Sequence, residues 1–177
     1  MLDIAVSYNK YKFLGDEFLT WVWYVVENEI NIKPMLAMEC NTVSLKLGNT
    51  IVLENSLGDE SSEKITIKGD DAGLEEGTTA LRKGAVVTEM NLIFTVDENE
   101  WRFSIKGESM NITGLKTPAT GNIESQDDIE GAVLEKIELY TIPLQAIDTL
   151  FEYFIKKRVS DRWRDIEIPA MREWISL

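Results

Sequence analysis

The chain has 177 residues, a net charge of −13 and 44% hydrophobic residues, a composition that is typical of a folded domain and argues against disorder. It contains no histidine, which excludes Ser-His and Cys-His nucleophilic pairs, imidazole bases and histidine metal sites. A single cysteine, no signal-peptide pattern and no apolar run long enough to span a membrane lead us to expect a cytoplasmic protein.

The first predicted element is a tryptophan-rich helix that runs from Gly15-Asp16 to about Glu29. Its apolar residues recur every three or four positions on two faces, which predicts burial on two sides. The favoured interpretation is a core helix that the rest of the domain wraps. The alternative is an interface helix in which Trp21, Trp23 and Val26 contact a second subunit.

Alternation of apolar and polar residues next predicts an antiparallel sheet. Gly48-Asn49 separates two alternating runs and predicts a two-residue hairpin turn. A short helix closed by Gly84 is predicted between the third and fourth strands, over 73–83. The predicted strands cover residues 42–47, 50–54, 64–68, 86–96, 101–106 and 110–115.

The last third of the chain is predicted to be helical. A capping pattern begins a helix over about 126–136, and Pro143 suits the first turn of a separate helix that ends near Val159. A further short helix follows Pro169. Because the strands form a meander and the helices are segregated from them, we expect an α+β fold rather than a parallel βαβ array.

We expect one domain over residues 1–177, with a core at about 13–158 and a C-terminal helical extension at 159–177. In this fold the tryptophan-rich helix and the C-terminal helices pack on an antiparallel sheet of hairpins. Such a domain is large enough to bury a sizeable core without disulfides.

Acidic clusters are the only residues that suggest catalysis. Asp70 and Asp71 follow a strand that ends in Lys68, and clustered carboxylates can hold Mg²⁺ against substrate phosphates. The same carboxylates also suit the N-terminus of the helix that follows, where the helix dipole favours negative charge, and we prefer this interpretation. No phosphate-binding glycine loop occurs. We therefore expect a non-catalytic protein without a cofactor, and a metal-dependent nuclease is the least favoured option.

Five basic residues fall on predicted outward positions of the strands. If these strands share a sheet, the residues form a positive face that could contact a phosphate backbone without reading sequence. The simpler alternative is a solvated polar face. The hypothesis assigns DNA contacts to Lys46, Lys64, Lys68, Arg102 and Lys106.

The block IKGDDAGLEEGTTALRKGAVVTEMNLIF, with ENEWRFSIKG after it, resembles the C-terminal half of RdgC, a bacterial recombination-associated DNA-binding family. The similarity continues through SQDDIEGAVLEKIELYTIPLQAIDTLFEYFI, and FLGDEFLTWVWY is similar to a segment of shorter RdgC-like proteins that are often labelled exonucleases. The resemblance covers about residues 13–158. It implies a ring-forming homodimer that binds duplex DNA with little sequence preference in the nucleoid and restrains recombinase loading.

The chain departs from the family pattern at charged positions. Ala85 and Glu89 stand where the family strand has lysines, and the loop 69–71 is acidic where the family has basic and amide residues. Only Lys68 carries over as a phosphate contact, and the family's N-terminal half has no counterpart in the resemblance. These departures keep a second expectation open, an acidic interaction or oligomerisation module that binds a basic protein partner without binding DNA.

Overall fold

The structure is a computed structural model, and it describes residues 13–56, 62–69, 74–120 and 128–176. The five strands of these ranges form one antiparallel sheet in the order β2-β1-β3-β4-β5. The predicted α+β class is confirmed. The elements in chain order are α1 (Phe13–Glu27), α2 (Lys33–Leu36), β1 (Val43–Ser56), β2 (Ser62–Lys68), α3 (Leu74–Arg82), β3 (Val86–Val96), β4 (Asn99–Lys106), β5 (Asn111–Lys116), α4 (Asp128–Arg158), a π-helical turn (Trp163–Glu167) and α5 (Ile168–Ser176).

Helix α1 lies in the centre of the hydrophobic core. Trp21 and Trp23 are each 0% exposed, because Phe154 of α4 packs against Trp21 and Trp174 of α5 packs edge-on against Trp23. Val26 is half-buried against the same core. The core-helix interpretation is confirmed. The interface alternative is wrong for the two tryptophans, because the chain's own helices cover both indoles and leave them no surface for a partner.

The hairpin predicted at Gly48-Asn49 is wrong. Strand β1 continues through both residues, and it pairs with β3 on one side and with β2 on the other. Its register with β3 shifts between Leu47 and Ile51, so Gly48 lies in a bulge. A side chain at Gly48 would overlap the amide of Asn91 on β3. The glycine therefore allows a close approach of two strands rather than a turn.

The two helices predicted on either side of Pro143 are a single helix, α4, of 31 residues. Proline has no N–H, so the carbonyl of Leu139, four residues earlier, loses its helical donor. The indole Nε1–H of Trp101 on β4 donates to that carbonyl over 2.7 Å, and both residues are buried. The helix continues because a hydrogen bond from the sheet replaces the missing one.

The helix after Pro169 is confirmed, since α5 begins at Ile168 and the proline lies in its first turn. The start of the helix predicted at residue 126 lies outside the described residues. Among the helices that the structure describes, none has the length and apolarity needed to cross a membrane.

Candidate nucleic-acid interface

The face of the sheet that points away from α1 carries the predicted basic residues, and we call it the outer face. Pairing across the sheet shows this directly, because residues paired in an antiparallel ladder project on the same side. Lys46 pairs with Ile93, Ile93 with Arg102, and Arg102 with Lys116. These four residues form one row across β1, β3, β4 and β5.

The other predicted residues lie on the same face. Lys64 pairs with Glu54, Lys68 with Thr50, and Lys106 with Glu89. Glu89 and Ile93 project to the outer side of β3, since Met90, Leu92 and Phe94 between and beside them are buried in the core. The prediction that the basic strand positions share one face therefore agrees with the observed register.

Lys116 is a sixth basic residue of this face, and sequence reasoning missed it. The last strand was predicted to end at Leu115, whereas β5 runs to Lys116. A register shift between β4 and β5 lies beside Gly114, whose φ of 62° breaks the alternation from which the strand was predicted. The extension of β5 could only be recognised from its pairing with Arg102.

The outer face is positive within an acidic chain. Its described strand positions hold six basic and three acidic side chains, a net charge of +3, whereas the whole chain carries −13. All six basic side chains are exposed. The basic residues are Lys46, Lys64, Lys68, Arg102, Lys106 and Lys116, and the acidic residues are Glu54, Glu89 and Glu100.

One end of the outer face has a shallow depression of about 410 Å³ without an acidic residue in its lining. Arg102 and Lys116 line it together with two amides, Asn49 and Asn91. The side chain of Asn91 is held in place, since its Nδ2 donates to the Phe103 carbonyl and to Ser104 Oγ, each over 3.1 Å. This end therefore offers cationic and amide groups, the types that proteins use to contact phosphate oxygens.

The guanidinium of Arg102 already has one carboxylate partner. Its Nε donates to Glu100 Oε1 over 2.8 Å, and the two side chains are 58% and 47% exposed. A pair this exposed contributes about 0–1 kcal/mol, so phosphate can replace the carboxylate at little cost. Arg102 also lines the depression described above.

The other end of the outer face has the opposite balance. Lys64 and Lys106 line a cleft of about 180 Å³ with four carboxylate residues, so the local charge is negative. These two lysines therefore share a cleft with more carboxylates than cations, which weakens their assignment as phosphate contacts. Lys68 lies apart, on the edge strand β2 opposite Thr50. The carboxylate residues of the cleft are Asp16, Glu54, Glu89 and Glu108.

The residues that suggested metal catalysis are not part of this arrangement. Asp70 and Asp71 lie outside the described residues. Within the described ranges, no group of three or more potential metal-ligating side chains comes together. Burial raises the pKa of Tyr24 and of Glu27, and the Glu167 carboxylate adds to the effect on Tyr24. Both residues belong to α1 on the core side of the sheet, so neither takes part in the outer face.

Comparison of the chain with protein-family models and with curated proteins found no match in either set. The resemblance to RdgC therefore stays a prediction from the quoted segments.

Proposed function

We propose that this chain is a non-catalytic, RdgC-like protein that binds duplex DNA through its phosphate backbone and acts in DNA recombination. The observation that carries the proposal is the exposed outer face, with its net charge of +3 on a chain of −13. Because non-specific affinity for DNA comes almost entirely from phosphate contacts, a local positive face is sufficient even when the whole chain is acidic.

The spacing of the basic row suits a duplex. From Lys46 to Lys116 the row crosses three strand spacings, about 14 Å at the usual separation of neighbouring strands. One strand of a duplex presents about four phosphates over that length. Lysine, arginine and amide groups contact phosphates without distinguishing bases, so little sequence preference is expected.

The expected affinity is modest. Three phosphate contacts predict that the logarithm of the binding constant falls with the logarithm of salt concentration with a slope of about −2.7. The net charge of −13 opposes long-range attraction, so we expect a dissociation constant in the non-specific range of about 10⁻⁴ to 10⁻⁶ M. A homodimer, which the resemblance implies, would double the number of contacts.

Fluorescence anisotropy of a labelled duplex across a salt series tests the proposal. The variant Lys46→Ala/Arg102→Ala/Lys116→Ala removes the three basic residues of the row, and we expect it to lose binding at every salt concentration. A dissociation constant of the unmodified chain weaker than about 10⁻⁴ M at low salt would refute the proposal.

A matched control distinguishes the effect of losing the basic row from the effect of changing the net charge. Lys83→Ala/Arg162→Ala/Arg172→Ala also changes the net charge from −13 to −16, at exposed residues that do not belong to the outer face. We expect this control to bind within about threefold of the unmodified chain, because screening limits distant charges. Equal losses in the two triple variants would contradict a local contact surface.

The two other expectations make different predictions in the same experiment. An acidic interaction module without DNA binding predicts no anisotropy change with any duplex. A metal-dependent nuclease predicts Mg²⁺-dependent loss of the duplex that Asp70→Asn abolishes. The interaction module has an observation of its own in its favour, because α4 exposes a row of large apolar side chains.

A further inference from the structure

The first half of α4 carries an apolar row that the other described residues leave uncovered. Residues spaced three or four apart on a helix share one face. The five residues of the row have side chains between 41% and 57% exposed, and Leu134 beside them is 63% exposed. We call these six residues the α4 stripe: Ile129, Val133, Leu134, Ile137, Tyr140 and Leu144.

The other side of the helix holds the stripe in a fixed outward direction. Leu139 and Ala146 are buried in the core, and the Trp101 indole donates to the Leu139 carbonyl. Lys136 Nζ donates to Thr117 Oγ1 over 2.8 Å, next to the end of β5. The helix is therefore docked along one side, and the stripe is exposed among the residues that the structure describes.

The size of the stripe indicates a particular class of contact. Six large side chains, each about half exposed, form a patch on the order of 500 Å², near the upper limit for the surface of an ordinary monomer. A stable interface of standard size buries about 800 Å² on each partner. The stripe alone therefore suits a transient partner better than an obligate dimer.

The charge beside the stripe selects the chemistry of that partner. Residues 128–144 include four acidic residues and one basic residue, a net charge of −3. Exposed carboxylates stand one helical turn from stripe members, with Glu130 and Glu138 on either side of Leu134 and Asp148 four residues after Leu144. A second copy would bring the same negative charge to this flank, whereas a basic partner neutralises it.

We propose that the α4 stripe binds a basic amphipathic helix of a partner protein, one with an apolar face and flanking lysine or arginine residues. The apolar face covers the stripe, and the basic flank meets the carboxylates. This inference gives the interaction-module alternative a defined surface and partner chemistry. It holds whether or not the outer face binds DNA, since the stripe lies on α4 and the basic row lies on the sheet.

Two synthetic helical peptides test the partner chemistry. Both have leucine at the same amphipathic spacing, and the polar positions are all lysine in one and all glutamate in the other. We expect the fluorescently labelled lysine peptide to bind the full chain at least tenfold more tightly than the glutamate peptide, with a preference that weakens as salt is added. Equal binding of the two peptides would overturn the proposal.

Two pairs of substitutions locate the binding surface. Val133→Gln/Ile137→Gln interrupts the stripe at exposed positions and is expected to weaken the lysine peptide by tenfold or more. The control Val159→Gln/Ile166→Gln removes two apolar side chains outside the stripe that are 79% and 48% exposed. This control should bind the lysine peptide like the unmodified chain. If the two variants bind alike, the stripe is not the binding surface.

A charge variant keeps the apolar stripe intact, so it tests the proposal even if Val133→Gln/Ile137→Gln unfolds. Glu130→Gln/Glu138→Gln should reduce the preference for the lysine peptide at least threefold, because it weakens attraction to the lysine peptide and relieves repulsion of the glutamate peptide. An unchanged preference would contradict the electrostatic part of the proposal.

Sedimentation decides between this partner and a second copy. If the unmodified chain is a dimer that Val133→Gln/Ile137→Gln converts to a monomer, the stripe is the dimer contact and the proposal is overturned. The same variant is expected to bind duplex DNA like the unmodified chain, so failure of this inference is distinguishable from failure of the DNA-binding proposal.

Discussion

The hydrogen bond between Trp101 and the Leu139 carbonyl predicts a measurable coupling between Trp101 and Pro143. Trp101→Phe removes the indole donor and leaves a buried carbonyl without a partner, because Pro143 cannot supply an N–H. Leaving a buried acceptor unsatisfied costs about 1–3 kcal/mol of the free energy of unfolding, in addition to the packing that the larger ring provided.

Pro143→Ala restores the missing backbone donor within α4. In the double variant the Leu139 carbonyl accepts from the backbone N–H of the new alanine, so the loss caused by Trp101→Phe should be about 1–2 kcal/mol smaller than in the unmodified background. Urea unfolding of the four chains, followed by tryptophan fluorescence and circular dichroism, measures this interaction energy.

A second tryptophan is the control for this comparison of the two single variants and the double variant. Trp163 is also buried, and it packs on Phe154 near the other end of α4. Trp163→Phe should therefore cost the same with proline or alanine at position 143. If the Trp101 and Pro143 effects add within about 0.5 kcal/mol, the indole does not replace the helical hydrogen bond and the reasoning is refuted.

Three further predictions concern other parts of the molecule. Burial raises the pKa of Glu27 above its ordinary value, so the folded chain binds this proton more tightly than the unfolded chain does. The free energy of unfolding therefore falls as the pH rises from the ordinary pKa to the raised one. Glu27→Gln, whose side-chain oxygen still accepts from Trp23, should flatten this dependence in urea unfolding between pH 4 and pH 7, and an unchanged slope would contradict it. Gly15→Ala should lower the free energy of unfolding by about 1–3 kcal/mol, because the new methyl group overlaps the Gly107 backbone. The helical control Gly131→Ala faces open space and should raise it by about 0.5–1 kcal/mol, and equal effects would rule out the steric reason. A salt slope of about −2.7 with duplex DNA should disappear in the triple variant of the outer-face row, and a slope that persists would place the phosphate contacts elsewhere.

The strand pattern was largely predictable from the sequence, whereas the turn predicted at Gly48-Asn49 was wrong. Alternation along 86–96 predicted β3 with the bounds that the structure shows. The same reasoning placed a turn at Gly48, because glycine permits both a tight turn and a close approach of backbones. The pairing of β1 with β3, in which Asn91 lies more than forty residues later in the chain, decides between them.

The candidate site was also predicted only in part from the sequence. Lys46 and Arg102 were recognised as outward-facing from their own strands, but their common row depends on Ile93 between them. Lys116 joins the row through a bulge beside Gly114, which no local pattern indicates. Lys64 and Lys106 had the same sequence signature, and their carboxylate neighbours come partly from α1 and the chain after β4.

By itself, the sequence determined the strands and long helices and, along each regular run, the side on which residues project, because helical and strand periodicity arise from neighbouring residues. It also indicated the basic residues of the regular strand positions, although not Lys116. The tertiary structure decided the strand order and register, the junction of α4 across Pro143, and the exposure of the α4 stripe. These depend on contacts between residues far apart in the chain, such as Trp101 with Leu139, whose energies no local window contains.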